Sequence, residues 1–193
     1  AVQGIDGWGS CPVALGNLLL SQVEDAESRV AVINIGREMS TDSEGAGRWR
    51  GQPGSLNVKQ VLKPVTAMAW MVSAAHPLSG LCGGDDASPY RSRFRVGTPE
   101  EYEVLLSANA QLPAGAVIAY QHGGGAGFGP ALERDPEAVK EDVLDEIVSI
   151  ARAREKYGVV FTGTVEEYDL EVDVAATAAL RQQMSAARAA SAA

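Results

Sequence analysis

The chain has 193 residues, 46% of them hydrophobic and 21% charged, which suits one domain with a sizeable core or one domain and an appendage. Its net charge of −9 argues against nucleic acid as a partner, because phosphate backbones are bound by basic surfaces, and it also disfavours an anionic membrane face. The sequence contains neither a secretory signal nor an apolar run long enough to span a bilayer, so we expect a cytoplasmic protein.

The first segment, residues 1–27, is predicted to be a glycine-rich arm at a subunit interface. A loop this long is uncommon in a compact domain unless it is functional or braced by a partner. Cys11 in this arm and Cys82 are far apart in sequence and are expected to be reduced thiols. The chain has no Cys-x-x-Cys pair and only two histidines, so no metal site is expected within it.

Residues 28–136 are predicted to form a β-rich body. Short β-branched or alternating segments, bounded by glycine and proline, favour an antiparallel sheet or barrel. The predicted strands are Val30–Ile35, Leu56–Leu62, Val65–Ala75, Arg91–Val96 as an exposed or edge strand, and the segment from the turn at Pro113 to Tyr120. Glu100–Leu106 fits either a strand or a helical turn.

Three glycine-dense loops interrupt the body, at residues 42–54, 76–86 and 122–136. The first carries Arg48 and Arg50, which lie two residues apart. Alternate residues of an extended segment face the same side, so the two guanidinium groups could converge on one anion. A solvated or carboxylate-paired arginine pair is the alternative.

The third loop begins with His122 and is the densest in glycine, with Gly123, Gly124, Gly125 and Gly127 among its first residues. Glycine survives where the backbone needs positive φ or where another backbone or a ligand comes too close for a Cβ. The loop therefore fits two roles. It is either an anion cradle that leads into a helix N-terminus, or a tight connector that packs against neighbouring strands.

Residues 137–193 are predicted to form a helical tail with short strands. Asp135 is a plausible N-cap for a helix over Pro136–Ile147, and a second helix over Val148–Lys156 should stop at Gly158. The other predicted elements are strands at Val159–Phe161 and Tyr168–Val172 and an alanine-rich helix over Asp173–Ala190.

Taken together, the glycine loops resemble the C-terminal part of the hydantoinase B/oxoprolinase family. The segments that carry the resemblance are Gly123–Gly129 with Leu132–Val139, Asp42–Gly51 and Gly80–Gly84. The sequence departs from the family pattern at Glu44 and Gln52, which stand in place of glycines, at Gln121-His122 and at Pro130-Ala131.

The resemblance implies an α+β fold: an antiparallel strand-rich body over about residues 28–121, then a helical C-terminal part, the whole forming half of a split larger fold. It also implies a small subunit or cleaved half of an ATP-dependent enzyme in which a carbonyl or enol-type oxygen is phosphorylated. Ketone carboxylation is favoured because the Leu15–Leu20 segment is closest to that branch. The alternatives are a cyclic-amide hydrolase and a non-catalytic assembly module.

The expected partners are a large subunit with the N-terminal part of the family fold and an ATP-binding hydantoinase A-like subunit, in a hetero-oligomer. ATP and a divalent metal are expected there, with none bound by this chain alone. The candidate catalytic residues here are His122, Arg48 and Arg50, with His76 as a further acid–base candidate. The backbone N–H groups of Gly123, Gly124, Gly125 and Gly127 are the candidate phosphate-binding groups.

Overall fold

The computed structural model describes residues 3–7, 22–70, 74–104 and 107–192. The fold is α+β, as predicted, with antiparallel strands first and helices after them. Most of the predicted N-terminal arm, including Cys11 and the Leu15–Leu20 segment, lies outside the described residues, so its role at an interface stays a prediction. Cys82 is a free, exposed thiol.

The body contains seven described strands, all paired antiparallel. They are β1 Val32–Ser40, β2 Gly54–Val61, β3 Val65–Trp70, β4 Arg91–Phe94, β5 Tyr102–Val104, β6 Ser107–Leu112 and β7 Val117–His122. Five form one sheet in the order β1-β2-β7-β4-β5, and β3 pairs with β6 as a separate ribbon.

One expectation about these strands is wrong, and one strand was not predicted. The edge position predicted for the strand at Arg91–Val96 is wrong, because β4 lies between β7 and β5. Its alternation is real, since Ser92 and Phe94 are buried while Arg91 and Arg93 are exposed. The sequence analysis also missed β6, whose alanines and small polar residues have low intrinsic strand preference and become a strand by pairing with β3.

A first hydrophobic core belongs to the strand-rich body. Buried apolar side chains from the large sheet and from the β3–β6 ribbon form one cluster, whose largest members are Val61, Phe94, Leu112 and Ile118. The buried ring of Phe94 makes T-shaped contacts with Tyr102 and Tyr120, at centroid distances of 5.7 and 6.2 Å. Burial of these side chains fixes which face of each strand points inward.

The helical part follows the predicted caps closely. The described helices are α1 Val23–Arg29, α2 Pro136–Leu144, α3 Ile150–Tyr157 and α4 Val174–Ala192, with a 3-10 helix at Ala131–Glu133 and a short hairpin of β8 Phe161–Thr162 and β9 Glu171–Val172. Asp135 caps α2 through the amide of Glu137, and α3 ends at Gly158 in the left-handed conformation. The helix α1, inside the predicted arm, was not foreseen.

A second core joins α2 and α3 to the segment that carries the β8–β9 hairpin. Its buried members include Val139, Val143, Val148, Tyr157 and Val159.

Among the described helices, none is long and apolar enough to cross a membrane.

Candidate functional site: the glycine loops and the pocket at His122

The three glycine loops pack directly against one another, backbone to backbone. A Cβ on Gly45 would lie 2.5 Å from the carbonyl oxygen of Asp85, 2.5 Å from the amide nitrogen of Gly127 and 2.8 Å from the Cα of Ala126. A Cβ on Gly51 would overlap the carbonyl of Gly125. Real Cβ atoms essentially never come closer than 3.0 Å to such atoms. These glycines are therefore required by the close approach of the loops.

Most of the amides in the predicted phosphate cradle already have protein acceptors. The Gly124 amide donates to the Ser88 hydroxyl at 3.0 Å, the Gly125 amide to the Gln52 carbonyl at 2.8 Å, and the Gly127 amide to the Asp85 carbonyl at 3.0 Å. A bonded amide is not available to an anion without breaking its existing bond. These contacts support the connector role, and phosphate binding by this loop stays a prediction.

The two predicted arginines each face a carboxylate, as in the alternative that the sequence left open. Arg50 Nε donates to Asp142 at 2.6 Å, and both side chains are nearly buried. Arg134 Nη2 lies 2.8 Å from the same carboxylate, and its Nη1 donates to Asp6 at 2.7 Å. Arg48 is half exposed, 3.6 Å from Glu133, with its guanidinium over the Trp49 ring. Arg50 thus ties the first glycine loop to α2.

Glu44, which stands where the family pattern has glycine, is fully buried in this structure. Its Oε1 accepts from Arg152 Nε at 2.9 Å and from the Tyr157 hydroxyl at 3.1 Å. Burial raises the pKa of the Glu44 carboxyl, although Arg152 acts in the opposite direction. This side chain links the first glycine loop to α3.

His122 is the last residue of β7, and its ring meets Tyr90 edge to face at a centroid distance of 5.6 Å. It lines a cavity of about 160 Å³ on the face of the sheet formed by β1, β2 and β7. Polar and cationic side chains form most of the lining, and α1 contributes the apolar Val23 and Ala26. The polar lining residues are Asn34, Arg37, Asn57, Lys59, Tyr120 and His122.

Strand register explains how these side chains meet. Asn57 is opposite both Arg37 on β1 and Tyr120 on β7, and Lys59 is opposite Asn34. Residues two apart on a strand share a face, which pairs Asn57 with Lys59 and Tyr120 with His122.

Asn34 and Arg37 are three apart and would face opposite sides of a regular strand. The register of β1 shifts between Asn34 and Gly36, and this bulge accounts for both residues lining the same cavity.

The pocket carries two basic side chains that form no ion pair among the described residues. Ten of the sixteen Lys and Arg residues form ion pairs among the described residues, but Arg37 and Lys59 are not among them. Desolvation and the nearby charge of Lys59 lower the pKa of His122, so the ring is neutral at pH 7. Burial raises the pKa of Tyr120, which keeps its hydroxyl protonated.

Of the residues singled out from the sequence, His122 alone lines this cavity. Arg48 and Arg50 belong to the loop network, and His76 is exposed in the second glycine loop. The sequence analysis missed Arg37, Lys59 and their polar neighbours. Polar residues at alternate positions of two strands, 57 with 59 and 120 with 122, were the available signal.

A larger cavity of about 510 Å³ lies between the second glycine loop and α3. Its charged groups already have partners: Lys156 with Asp85 at 3.1 Å, and Arg152 with Glu44. No group of three or more His, Cys, Asp or Glu side chains suited to a metal occurs in the described ranges. The pocket at His122 is therefore the stronger candidate site.

Comparison with known proteins shows which family the chain resembles. The model of the hydantoinase B/oxoprolinase family matches residues 1–131. The chain is 31% identical over 189 residues to caprolactamase subunit beta of Pseudomonas jessenii, and 27% identical over 205 residues to the acetone carboxylase alpha subunit of Xanthobacter autotrophicus. These alignments cover 94% and 86% of the chain.

The solved structures agree with the sequence comparison. The crystal structure of the ATP-dependent caprolactamase from Pseudomonas jessenii superposes with a TM-score of 0.79 at 28% identity, over 94% of this chain and 32% of that one. The chain spans between about a quarter and a third of the length of the curated relatives it matches. The family match over residues 1–131 and the similarity along nearly the whole chain lead to one conclusion: the chain belongs to the hydantoinase B/oxoprolinase family.

Proposed function

We propose that this chain is part of an ATP-dependent enzyme complex that acts on a carbonyl compound, either a ketone or a cyclic amide. The observation that carries the proposal is the 31% identity, over 94% of the chain, to the beta subunit of the caprolactamase of Pseudomonas jessenii, an ATP-dependent enzyme. The two kinds of relative share a substrate carbonyl. In a cyclic amide, transfer of a phosphoryl group to the carbonyl oxygen would make the carbonyl carbon reactive toward water. In a ketone, loss of an α-proton and transfer of a phosphoryl group to the enolate oxygen would give an enol phosphate, whose α-carbon bonds to the carboxyl carbon while water takes the phosphoryl group and the carbonyl re-forms.

Two specific reactions follow from this class. Ketone carboxylation, through a phosphorylated enol-type intermediate, is supported by the similarity to an acetone carboxylase subunit. Cyclic-amide hydrolysis is supported by the higher identity and longer coverage of the caprolactamase subunit. In either reaction, this chain acts with a partner that carries the N-terminal part of the family fold and with an ATP-binding hydantoinase A-like subunit.

Within the chain, His122 is the residue we propose to contact the substrate. Its ring is neutral at pH 7 and lines a polar cavity, so its unprotonated nitrogen can accept a proton. Arg50 is instead held by Asp142 and positions the first glycine loop. Arg48 is the more exposed arginine and is the one able to turn toward an anion on a partner subunit.

The reaction class is tested by purifying the chain with its natural partners and measuring ATP hydrolysis. ATP hydrolysis that requires both a ketone and bicarbonate identifies a carboxylase, and hydrolysis that requires a lactam or hydantoin alone identifies a hydrolase. Absence of an ATP-binding partner, together with no substrate-dependent ATP hydrolysis, would refute the proposal.

The catalytic role of His122 needs its own test in the assembled complex. His122→Gln should lower turnover by about 10²- to 10⁴-fold, the usual contribution of a general acid or base. His76→Gln is the matched control, because His76 lies in an exposed loop and does not line the cavity. If His122→Gln retains full turnover while the complex remains intact, the chain serves the non-catalytic assembly role instead.

A further inference from the structure

We propose that the pocket formed by Arg37, Lys59 and His122 is a binding site for a small oxyanion, the phosphate or carboxylate group of a ligand. Nothing in the family comparison assigns a ligand to these residues. The inference depends on the pocket alone and not on the proposed ATP-dependent activity. The proposed anion site would therefore stand whether the complex carboxylates a ketone or hydrolyses a cyclic amide.

The first argument is the uncompensated positive charge. Arg37 and Lys59 come from neighbouring strands and line one cavity, yet neither has a carboxylate within 4.0 Å among the described residues. In a chain of net charge −9, carboxylates are abundant, and most of the other Lys and Arg side chains form an ion pair with one. Arg37 is exposed and Lys59 is half-buried, and an anion bound between them would gain favourable Coulomb energy from both charges.

The second argument is the set of neutral donors around the two cations. The amide of Asn57 lies between Arg37 and Tyr120 across three strands, and the protonated Tyr120 hydroxyl is a further donor. A guanidinium, an ammonium, an amide and a hydroxyl together supply the directed donors that oxyanions need. An uncharged or cationic ligand would leave the two positive charges uncompensated.

The carboxylate that borders the pocket is already occupied. Glu27 on α1 accepts from the backbone amide of Asn34 at 2.7 Å and from its side-chain amide at 3.1 Å. These bonds lower the pKa of Glu27, which keeps it ionised, but they direct its oxygen toward Asn34. Glu27 thus fixes Asn34 at the rim and leaves the charges of Arg37 and Lys59 for a ligand.

The size of the cavity limits what binds. A volume of about 160 Å³ accommodates a small acid or the anionic end of a larger molecule. Phosphate and carboxylate share the donor pattern, so the experiment has to separate them. An extended polyanion such as nucleic acid does not fit, since the overall charge of the chain repels it.

The test follows the two histidine rings by NMR while inorganic phosphate, and separately acetate, is added to the full chain at constant ionic strength. We expect saturable shifts of the His122 resonances in the millimolar range, where binding free energies are about −4 kcal/mol. The ring of His76 lies outside the pocket and is the internal control. Tighter binding of phosphate than of acetate identifies a phosphate ligand, and the reverse order a carboxylate.

Variants establish which residues bind the anion. Lys59→Gln and Arg37→Gln should each weaken binding at least tenfold, and a bound anion should raise the pKa of His122 in the wild type. Lys63→Gln is the matched control, because Lys63 is exposed just beyond β2 and does not line the cavity. The proposal is overturned if neither anion produces a saturable shift, or if Lys59→Gln and Lys63→Gln, both folded by circular dichroism, bind alike.

Discussion

The substitution Gly45→Ala tests whether the glycine loops are close-packed connectors. A Cβ at this position would meet three backbone atoms at 2.5, 2.5 and 2.8 Å, from the second and third loops, against ordinary contact distances of about 3.5–4.0 Å. Gly45 also makes two backbone hydrogen bonds: its amide donates to Gly125 of the third loop at 2.8 Å, and its carbonyl accepts from Gly51 within the first loop at 3.0 Å. No side chain can rotate away, so the backbone itself must shift.

Overpacking costs about 1–3 kcal/mol where side chains adjust, and each hydrogen bond that is lost adds about 0.5–1.5 kcal/mol. We therefore expect Gly45→Ala to lower the free energy of unfolding by about 3–5 kcal/mol. For a chain of this size, that lowers the Tm by at least about 6 °C.

The assay is thermal and urea unfolding, followed by tryptophan fluorescence. Gly36→Ala is the matched control, because its nearest neighbour is Val58 Cβ at 3.6 Å, an ordinary contact. The control should leave stability unchanged or raise it by up to about 1 kcal/mol. A Gly45→Ala protein as stable as wild type would refute the close-packing explanation.

Three further predictions concern charged groups. Asp142→Asn should cost about 3–5 kcal/mol of unfolding free energy, because it leaves two buried arginines facing an amide, whereas Glu141→Gln, exposed on the same helix, should cost little. Burial raises the pKa of Glu44 above 4.5, so its contribution to stability is complete below pH 4.5 and is lost as pH rises through the folded value; in urea titrations, the stability of wild type relative to Glu44→Gln should fall over that window. The pKa of His122 is lowered from 6.5, so its contribution is complete above pH 6.5 and is lost as pH falls through the folded value; His122→Gln should remove this loss, and an unchanged pH profile in that variant would contradict the assignment.

Local signals predicted the helical part well. The Asp135-Pro136 start of α2, the Gly158 stop of α3 and the Asp173 cap of α4 all rest on hydrogen bonds within a few residues in sequence. Such bonds depend little on the rest of the fold, so the sequence pattern is sufficient. The missed β6 is the opposite case, because its alanines and polar residues become a strand through pairing with β3.

The candidate site was also predicted only in part from the sequence. The dense glycine of the third loop predicted a junction between body and tail, and His122 stood out as the histidine at the start of that loop. The pocket around His122 could not be predicted, because the β1 bulge and the register of three strands place Arg37 and Lys59 in one cavity. A spacing of three residues gives no hint that Asn34 and Arg37 line the same cavity.

The sequence by itself therefore determined the family, the α+β class and the helix caps, since these depend on local backbone geometry and on residue identity. The glycines of the loops were visible in the sequence, but the contacts that require them join loops far apart in the chain. Only the tertiary structure decided how the groups combine. It placed Arg50 and Arg134 on one buried carboxylate and engaged the amides of Gly124, Gly125 and Gly127 with protein acceptors. It also brought Arg37 and Lys59 to one cavity beside His122, with no carboxylate partner for either among the residues that the structure describes. The physical reason is that charge pairing and hydrogen bonding act between residues far apart in sequence, where one-dimensional spacing carries no distance information.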